Sequence, residues 1–148
     1  MVDLLFLIHL ASSWAMTGIV WFVQIVHYPL FNAVGRERFE AYERLHTRQT
    51  GIVVAPLMGI EALTALVLVV ATPAGVSLFL AAVGLLLVGA IWASTFFVQV
   101  PLHQRLSAGF DEDAHRRLVG SNWLRTGLWS VRAFLLLWMA AGWRHGAP

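Results

Sequence analysis

The chain has no cysteine, no lysine and few charged residues of either sign. Of its 148 residues only 12% are charged and 59% are hydrophobic, whereas a soluble domain carries about 25% charged residues. The missing cysteines exclude a disulfide framework, a zinc–thiolate site, an iron–sulfur cluster and a thiol nucleophile. The scarcity of charge leaves too little polar surface to coat a globule in water, which argues against a soluble enzyme and against a disordered tail.

Four long apolar runs account for most of the residues. They cover about 4–31, 51–71, 75–102 and 126–143, and we predict one helix over each of these ranges. A helix of about 20 apolar residues spans the hydrocarbon core of a bilayer, and in lipid a helix satisfies its own backbone hydrogen bonds. The sequence therefore predicts an all-α fold, a four-transmembrane-helix bundle that forms a single integral membrane domain over residues 1–148.

The charged residues are concentrated in two connections. Residues 36–48 and 102–125 together carry eight of the ten basic residues, all of them arginine, interspersed with acidic residues. In a four-helix chain both connections lie on the same side, and the positive-inside bias makes that side the cytoplasm. We expect a multi-pass protein of the bacterial inner (plasma) membrane, with both termini outside and both charged loops cytoplasmic.

The expected partners follow from the same composition. The lipid bilayer is the first, and a homodimer or a larger membrane complex is a further candidate. No nucleic-acid partner is expected, because the net charge is only +2 and the arginines form no continuous run.

Similar strings recur in the two halves of the chain. Trp21-Phe-Val-Gln24 followed by Pro29-Leu30 corresponds to Phe96-Phe-Val-Gln99 followed by Pro101-Leu102, and Arg44-Leu45 before Thr50-Gly51 corresponds to Arg117-Leu118 before Thr126-Gly127. The shared order predicts two tandem two-helix repeats about an axis along the membrane normal. Chance similarity is the alternative, because apolar helices draw on few residue types.

Each predicted helix carries one polar stripe at helical spacing, and the stripes are expected to face one another. Two charges lie within the apolar runs, Glu61 in the second and Arg132 in the fourth. A charge at membrane depth costs roughly 2.5 to 3.5 kcal/mol on insertion scales. At a rise of 1.5 Å per residue their backbones are offset by about 7 to 8 Å, which an arginine side chain can reach across. We therefore predict a Glu61–Arg132 intramembrane charge pair, in either a structural or a functional role.

Three histidines are expected at one depth near the cytoplasmic interface. His27 and His103 follow the repeated glutamines by three and four residues, and His46 enters the same layer from the second helix with Glu43 one turn before it. Imidazole and carboxylate groups ligate transition metals, and histidine also ligates haem. We predict metal ligation by Glu43, His46, His103 and His27. The alternative is a set of interfacial histidines bonded to glutamine, Tyr28 and the backbone.

Four further polar residues lie on the stripes beside this layer. They are expected to orient a bound group and are Gln24, Gln99, Asn122 and Arg125.

The string Trp21-Phe-Val-Gln-Ile-Val-His27-Tyr-Pro-Leu-Phe31, together with Glu61 and Asn122-Trp-Leu-Arg-Thr-Gly127, resembles a family of small bacterial four-helix integral membrane proteins. That resemblance implies the fold. The first helix, with His9, Ser13-Trp14 and Gly18, is also similar to the HemJ-type membrane protoporphyrinogen oxidases, and this similarity implies that His9 ligates haem. The lysine that this family uses on a later helix has no counterpart here.

The leading functional hypothesis is a membrane protein with a polar site in its cytoplasmic half. Such a site would bind haem, a transition metal or a small amphipathic ligand for redox chemistry. Two alternatives belong to other classes: a non-catalytic structural or assembly subunit of a membrane complex, and a small dimeric transporter. No established motif for nucleophilic catalysis or for nucleotide binding decides among them.

Overall fold

The structure, a computed structural model, describes residues 2–146, and side chains from Asp3 to Trp143. All regular secondary structure in this range is helical, as predicted. The elements are α1 (Val2–Phe22), a π-turn (Val23–His27), a 3-10 turn (Pro29–Ala33), α2 (Arg36–Val70), α3 (Leu78–Ser94), a second π-turn (Thr95–Gln99), α4 (Val100–Leu106) and α5 (Glu112–Gly146).

These elements form four rods, because each π-turn continues the helix before it. The first rod packs against α2 and α5, and the third rod, α3 to α4, packs against the same two helices. Three rods, Asp3–Ala33, Arg36–Val70 and Leu78–Leu106, are long and apolar enough to cross a membrane. The fourth rod, α5, falls outside that set, and its centre carries Arg132.

The two charged segments expected as loops are largely helical, so the predicted helix starts at residues 51 and 126 were wrong. α2 begins at Arg36 and α5 at Glu112. Both segments bury an apolar stripe, with Phe39 of α2 and Leu118 of α5 in one cluster. The charges on their other faces lower the average hydropathy and conceal the amphipathic helix. The predicted start at residue 75 was also early, because α3 begins at Leu78 after a turn.

In each π-turn a backbone N–H donates to the carbonyl five residues earlier in the chain. The Tyr28 N–H donates to the Val23 carbonyl, and the Val100 N–H donates to the Thr95 carbonyl. A proline lies two residues after each π-turn, Pro29 after the first and Pro101 after the second. A π-turn adds one residue to a helical turn and so shifts the side-chain register that follows it. These shifts occur just where the glutamines and histidines of the predicted site begin.

The turn between α2 and α3 packs tightly against the end of α5. Gly75 has φ +79°, a left-handed conformation that glycine adopts without strain. A Cβ placed on Gly142 would lie 2.7 Å from the Gly75 carbonyl oxygen. Glycine at 142 is therefore required by a backbone-to-helix contact.

Three apolar clusters alternate with two polar layers along the bundle. The cluster at the charged end contains Phe31, Phe39 and Leu118, the middle one contains Met58 and Trp129, and the far one contains Phe6 and Leu136. The polar layers lie between them, one around His46 and one around Glu61. Since α2 rises 1.5 Å per residue, these two layers are about 22 Å apart.

Candidate metal centre

The deeper layer is built around the expected ion pair of Glu61 and Arg132. Arg132 Nε donates to Glu61 Oε1 at 2.8 Å, and the two side chains are 0% and 1% exposed. The same carboxylate accepts from Ser13 Oγ at 2.6 Å and from Trp129 Nε1 at 3.2 Å. The remaining guanidinium nitrogens donate to the Gly84 carbonyl and to His9. We call His9, Ser13, Glu61, Thr64, Trp129 and Arg132 the central charge cluster.

The hydrogen bonds of His9 define its tautomer. Arg132 Nη2 can only donate, so His9 Nε2 accepts this bond at 2.7 Å. His9 Nδ1 then carries the proton and donates to Thr64 Oγ1 at 2.6 Å, and the Thr64 hydroxyl donates to the Ile60 carbonyl. Both ring nitrogens of His9, the residue for which the resemblance implies haem ligation, are therefore engaged inside the protein.

The central charge cluster connects all four rods and leaves none of its polar atoms without a partner. α1 supplies His9 and Ser13, α2 supplies Glu61 and Thr64, α3 supplies the Gly84 carbonyl, and α5 supplies Trp129 and Arg132. A buried ion pair is tolerated when its remaining donors and acceptors are satisfied. None of the buried polar atoms of this cluster is therefore left free to bind a ligand without breaking a hydrogen bond.

The second layer brings together the histidines predicted from the sequence. We call His27, Tyr28, Glu43, His46 and His103 the histidine cluster. His103 Nδ1 lies 2.5 Å from Glu43 Oε1, and His103 Nε2 lies 2.9 Å from the Tyr28 hydroxyl. His27 Nε2 lies 2.8 Å from His46 Nδ1, which Thr50 Oγ1 also approaches at 3.1 Å. The three imidazoles and the carboxylate thus form one cluster of two hydrogen-bonded pairs.

Glu43, His46 and His103 each offer one ligand atom, and these atoms lie within 4.8 Å of one another. Two ligands of one tetrahedral zinc ion at 2.0 to 2.2 Å are about 3.3 to 3.6 Å apart. The widest of the three separations would therefore have to shorten by roughly 1.2 to 1.5 Å for the atoms to surround one ion. Glu43 is fully buried, and its Oε2 has no hydrogen-bond partner in the described part of the chain.

His27 lies beside this triad and not in it. Its Nε2 is hydrogen-bonded to His46 Nδ1, and it is absent from the group whose ligand atoms converge. Of the four predicted ligands, the structure thus places three around one point and the fourth behind His46. His27 lies where it can orient the His46 ring, because a histidine ligand is commonly held through its second ring nitrogen.

The predicted orienting residues form a chain that ends at Arg125. Gln24 Nε2 donates to the Val119 carbonyl at 3.2 Å, Asn122 Nδ2 donates to Gln24 Oε1 at 2.9 Å, and Arg125 Nη1 donates to Asn122 Oδ1 at 2.9 Å. Gln24 and Asn122 were expected to contact a bound group, but they are hydrogen-bonded within the protein. Asn122 fixes the guanidinium group of Arg125, and Gln24 fixes Asn122.

A cavity of about 420 Å³ adjoins the triad. It lies between α2 and the π-turn and α4 of the third rod, with Arg125 reaching it from α5. Gln99 also lines it and donates from Nε2 to Ser121 Oγ at 2.9 Å. The residues on the cavity wall are His46, Thr47, Thr50, Gly51, Val54, Thr95, Gln99, Val100, His103, Gln104, Ser107 and Arg125.

Sequence reasoning missed several partners in both layers. A contact between Tyr28 and an interfacial histidine was expected in the alternative interpretation, and the Tyr28 hydroxyl does contact His103, but the bond from His115 Nε2 to the Tyr28 carbonyl at 2.8 Å was not predicted. The bond from Trp129 Nε1 to Glu61 was not predicted either, although Trp129 precedes Arg132 by three residues and so shares its side of the helix. The Gly84 carbonyl had no signal, because backbone acceptors are invisible in a sequence.

Comparison with known proteins adds no relative. No family model, no curated protein and no solved structure matches this chain.

Proposed function

We propose that this chain is an integral membrane protein with four spans that binds a divalent transition-metal ion at Glu43, His46 and His103. The single observation that carries the metal site is Glu43 Oε2, a fully buried carboxylate oxygen without a partner, on a residue whose ligand atom lies within 4.8 Å of those of two imidazoles. A buried charged acceptor that lacks a partner is costly. A metal ion would satisfy it directly.

The outer surface of the bundle supports the membrane assignment. Large apolar side chains point outward on every rod, and on α5 they include Val131, Phe134 and Trp138 at 57%, 68% and 74% exposure. Arg132 lowers the hydropathy of α5 but points inward and is fully buried. We therefore propose α5 as the fourth span, because lipid would meet its apolar face and not its charge.

The same architecture supports the proposed duplication. Both π-turns contain the repeated glutamine, and a proline follows each turn within two residues. The glutamine is the second residue of the first π-turn and the last residue of the second, so the two halves share a glutamine, a π-turn and a proline in one order but not in one register. Two tandem two-helix repeats therefore remain our proposal for the origin of the bundle.

The packing of the imidazoles favours a metal ion over haem. The ring centroids of His27 and His46 are 4.6 Å apart, and those of His46 and His103 are 5.4 Å apart. Rings in such close contact leave no slot between them for a porphyrin. Two histidines with one carboxylate are the ligand set of many zinc enzymes and of non-haem Fe(II) oxygenases, both of which keep a position open for water or substrate.

The groups around the triad have defined roles in this proposal. His27 and Thr50 position the His46 ring, and Tyr28 holds the His103 ring. The adjoining cavity would admit a small molecule to the open side of the triad. When bound, the ion would act as a Lewis acid or, in the case of iron, as a redox centre.

Calorimetric titration of the detergent-purified full chain with Zn²⁺, and anaerobically with Fe²⁺, tests the metal site. We expect one ion per chain and a loss of affinity of at least about 10- to 100-fold in Glu43→Gln, the range that even outer-shell substitutions produce. Glu40→Gln is the matched control, because Glu40 is exposed on the same helix and pairs with Arg44 at 2.7 Å.

Equal affinities for Glu43→Gln and Glu40→Gln would overturn the site. Absence of ion binding in the wild type would do the same and would favour the structural or assembly subunit.

Reporter fusions test the topology separately. Reporters placed in the turn at residue 74 and in the connection at residue 109 should lie on opposite sides of the inner membrane, with residue 109 cytoplasmic. Both reporters on one side would contradict four spans.

A further inference from the structure

Arg125 is a buried cation beside the cavity without a counter-charge. It is 7% exposed, and within residues 3–143 it forms no ion pair with any aspartate or glutamate. Arg132, the other buried arginine of that range, is neutralised by Glu61. Removing one partner of a buried pair is strongly destabilising, because an uncompensated charge remains. In the native fold, Arg125 is likewise a buried charge without an ion-pair partner.

The guanidinium group of Arg125 is held in place, lies beside the Tyr28 side chain, and keeps one buried donor without a partner. Nη1 is fixed by Asn122, which is itself fixed by Gln24, and the group lies 5.1 Å from the centre of the Trp129 ring. Nε is buried and has no hydrogen-bond partner. An arginine offers Nε and Nη2 side by side, in the geometry that the two oxygens of a carboxylate or phosphate accept.

The rest of the cavity is suited to an apolar body. The exposed surface of its wall is mostly apolar, with contributions from Val54, Val100 and Gly51, and about 420 Å³ falls within the usual size range of small-molecule pockets. His46 and His103 of the triad contribute to the same wall. A molecule inside would therefore meet a fixed cation, apolar side chains and the triad together.

We propose that this cavity binds an amphipathic molecule with an anionic oxygen head, and that Arg125 anchors the head. The inference deepens the proposed function: reaction of this ligand at the triad rests on the metal site, whereas its binding by Arg125 does not. The anionic head of the ligand provides the negative charge that Arg125 lacks within the protein. The apolar tail fills the part of the cavity next to α2.

Gln99 adds a requirement on the ligand. Its side chain is 2% exposed, and its Oε1 is buried without a partner on the cavity wall. Ser121 donates its own proton to the Arg117 carbonyl at 2.6 Å, so Gln99 must donate Nε2 to Ser121 and keep Oε1 as an acceptor. A ligand that carries a hydroxyl group near its anionic head would satisfy both Arg125 and Gln99.

Binding of three probes with the same tail to the metal-free full chain in detergent tests the inference. The probes are octanoate, 2-hydroxyoctanoate and 1-octanol, measured by calorimetry after treatment with a chelator. We expect octanoate to bind about 10- to 100-fold more tightly than 1-octanol, the range expected for charge-assisted hydrogen bonds. The hydroxy acid should bind more tightly still, and Gln99→Leu should remove that additional gain.

In Arg125→Gln the advantage of octanoate over 1-octanol should disappear, whereas in Arg125→Lys part of it should remain. Equal binding of octanoate and 1-octanol to the wild type would overturn the proposal without any variant. Retention of the full advantage in a helical, folded Arg125→Gln would also overturn it.

A short-chain phosphatidic acid, used as a competitor, distinguishes two sources of the anionic head. Displacement of octanoate by this lipid would identify the head as a lipid phosphate. Failure to displace it would identify a free carboxylate. Because the protein is metal-free, a failed metal titration and a failed probe titration are independent results.

Discussion

Replacing only one residue of the Glu61–Arg132 pair is predicted to lower the free energy of unfolding far more than replacing both. In Arg132→Met, Glu61 retains Ser13 and Trp129 as donors but loses its counter-charge, and the Gly84 carbonyl and His9 Nε2 lose their donor. Breaking one partner of a fully buried pair costs about 3 to 5 kcal/mol. Glu61→Met should cost a similar amount, since it leaves the guanidinium without a carboxylate.

The double variant Glu61→Met/Arg132→Met removes both charges from the central charge cluster. Replacement of both partners by apolar residues of similar volume is often neutral or stabilising. The double variant should therefore be more stable than either single variant, which requires a coupling free energy larger than the cost of either single substitution, that is, more than about 3 to 5 kcal/mol. Unfolding of the detergent-solubilised protein, followed by helical circular dichroism, supplies the four free energies.

A matched cycle on Glu40 and Arg44 provides the reference. This pair has a comparable distance of 2.7 Å but is exposed, and exposed helical pairs contribute about 0.3 to 0.5 kcal/mol. If the Glu61 and Arg132 effects proved additive, with the double variant as costly as the two singles summed, the central charge cluster would not be a coupled ion pair.

Two further predictions concern local structure. Gly142→Ala should lower the free energy of unfolding by about 1 to 3 kcal/mol through overpacking against the Gly75 carbonyl. Gly127→Ala on the same helix, with open space around it, should be neutral or stabilising by up to about 1 kcal/mol. Equal unfolding free energies for the two variants would contradict the close contact. The Asp111 carboxylate caps α5 and accepts from the Ala114 N–H at 2.9 Å and from Arg105, which holds the pKa of Asp111 below its usual value of 3.8. Its stabilising contribution should therefore be complete above pH 3.8 and disappear as the pH falls through the lowered pKa, so that the melting temperatures of wild type and Asp111→Ala converge in acid; a constant difference would refute the cap.

The global architecture could be predicted from the sequence because apolar run length and backbone hydrogen bonding leave few alternatives. The Glu61–Arg132 contact followed from depth along the two helices, since a charge in an apolar run requires a partner. The convergence of His46 and His103 followed from their distance to recurring motifs. In each case a one-dimensional spacing determines a position in a straight helix.

The remainder depends on contacts that a one-dimensional pattern does not carry. The helical starts at Arg36 and Glu112 were missed because the apolar stripe there is narrow and its flanks are charged. His27 lies at the end of a π-turn, and its ring contacts His46. No residue type in the sequence predicts a π-turn. The roles of Gln24 and Asn122 behind Arg125 depend on side-chain pairing across two helices, which becomes apparent only in three dimensions.

X-ray absorption spectroscopy of the metal-loaded protein tests the central claim most directly, because it reports the ligands of the ion itself. With Zn²⁺ bound, we expect nitrogen and oxygen ligands at about 2.0 to 2.2 Å, with outer-shell scattering from the two imidazoles of His46 and His103. In His103→Gln the signal should fall to one imidazole. A zinc ion without imidazole scattering, or a spectrum unchanged by His103→Gln, would contradict a centre built from Glu43, His46 and His103.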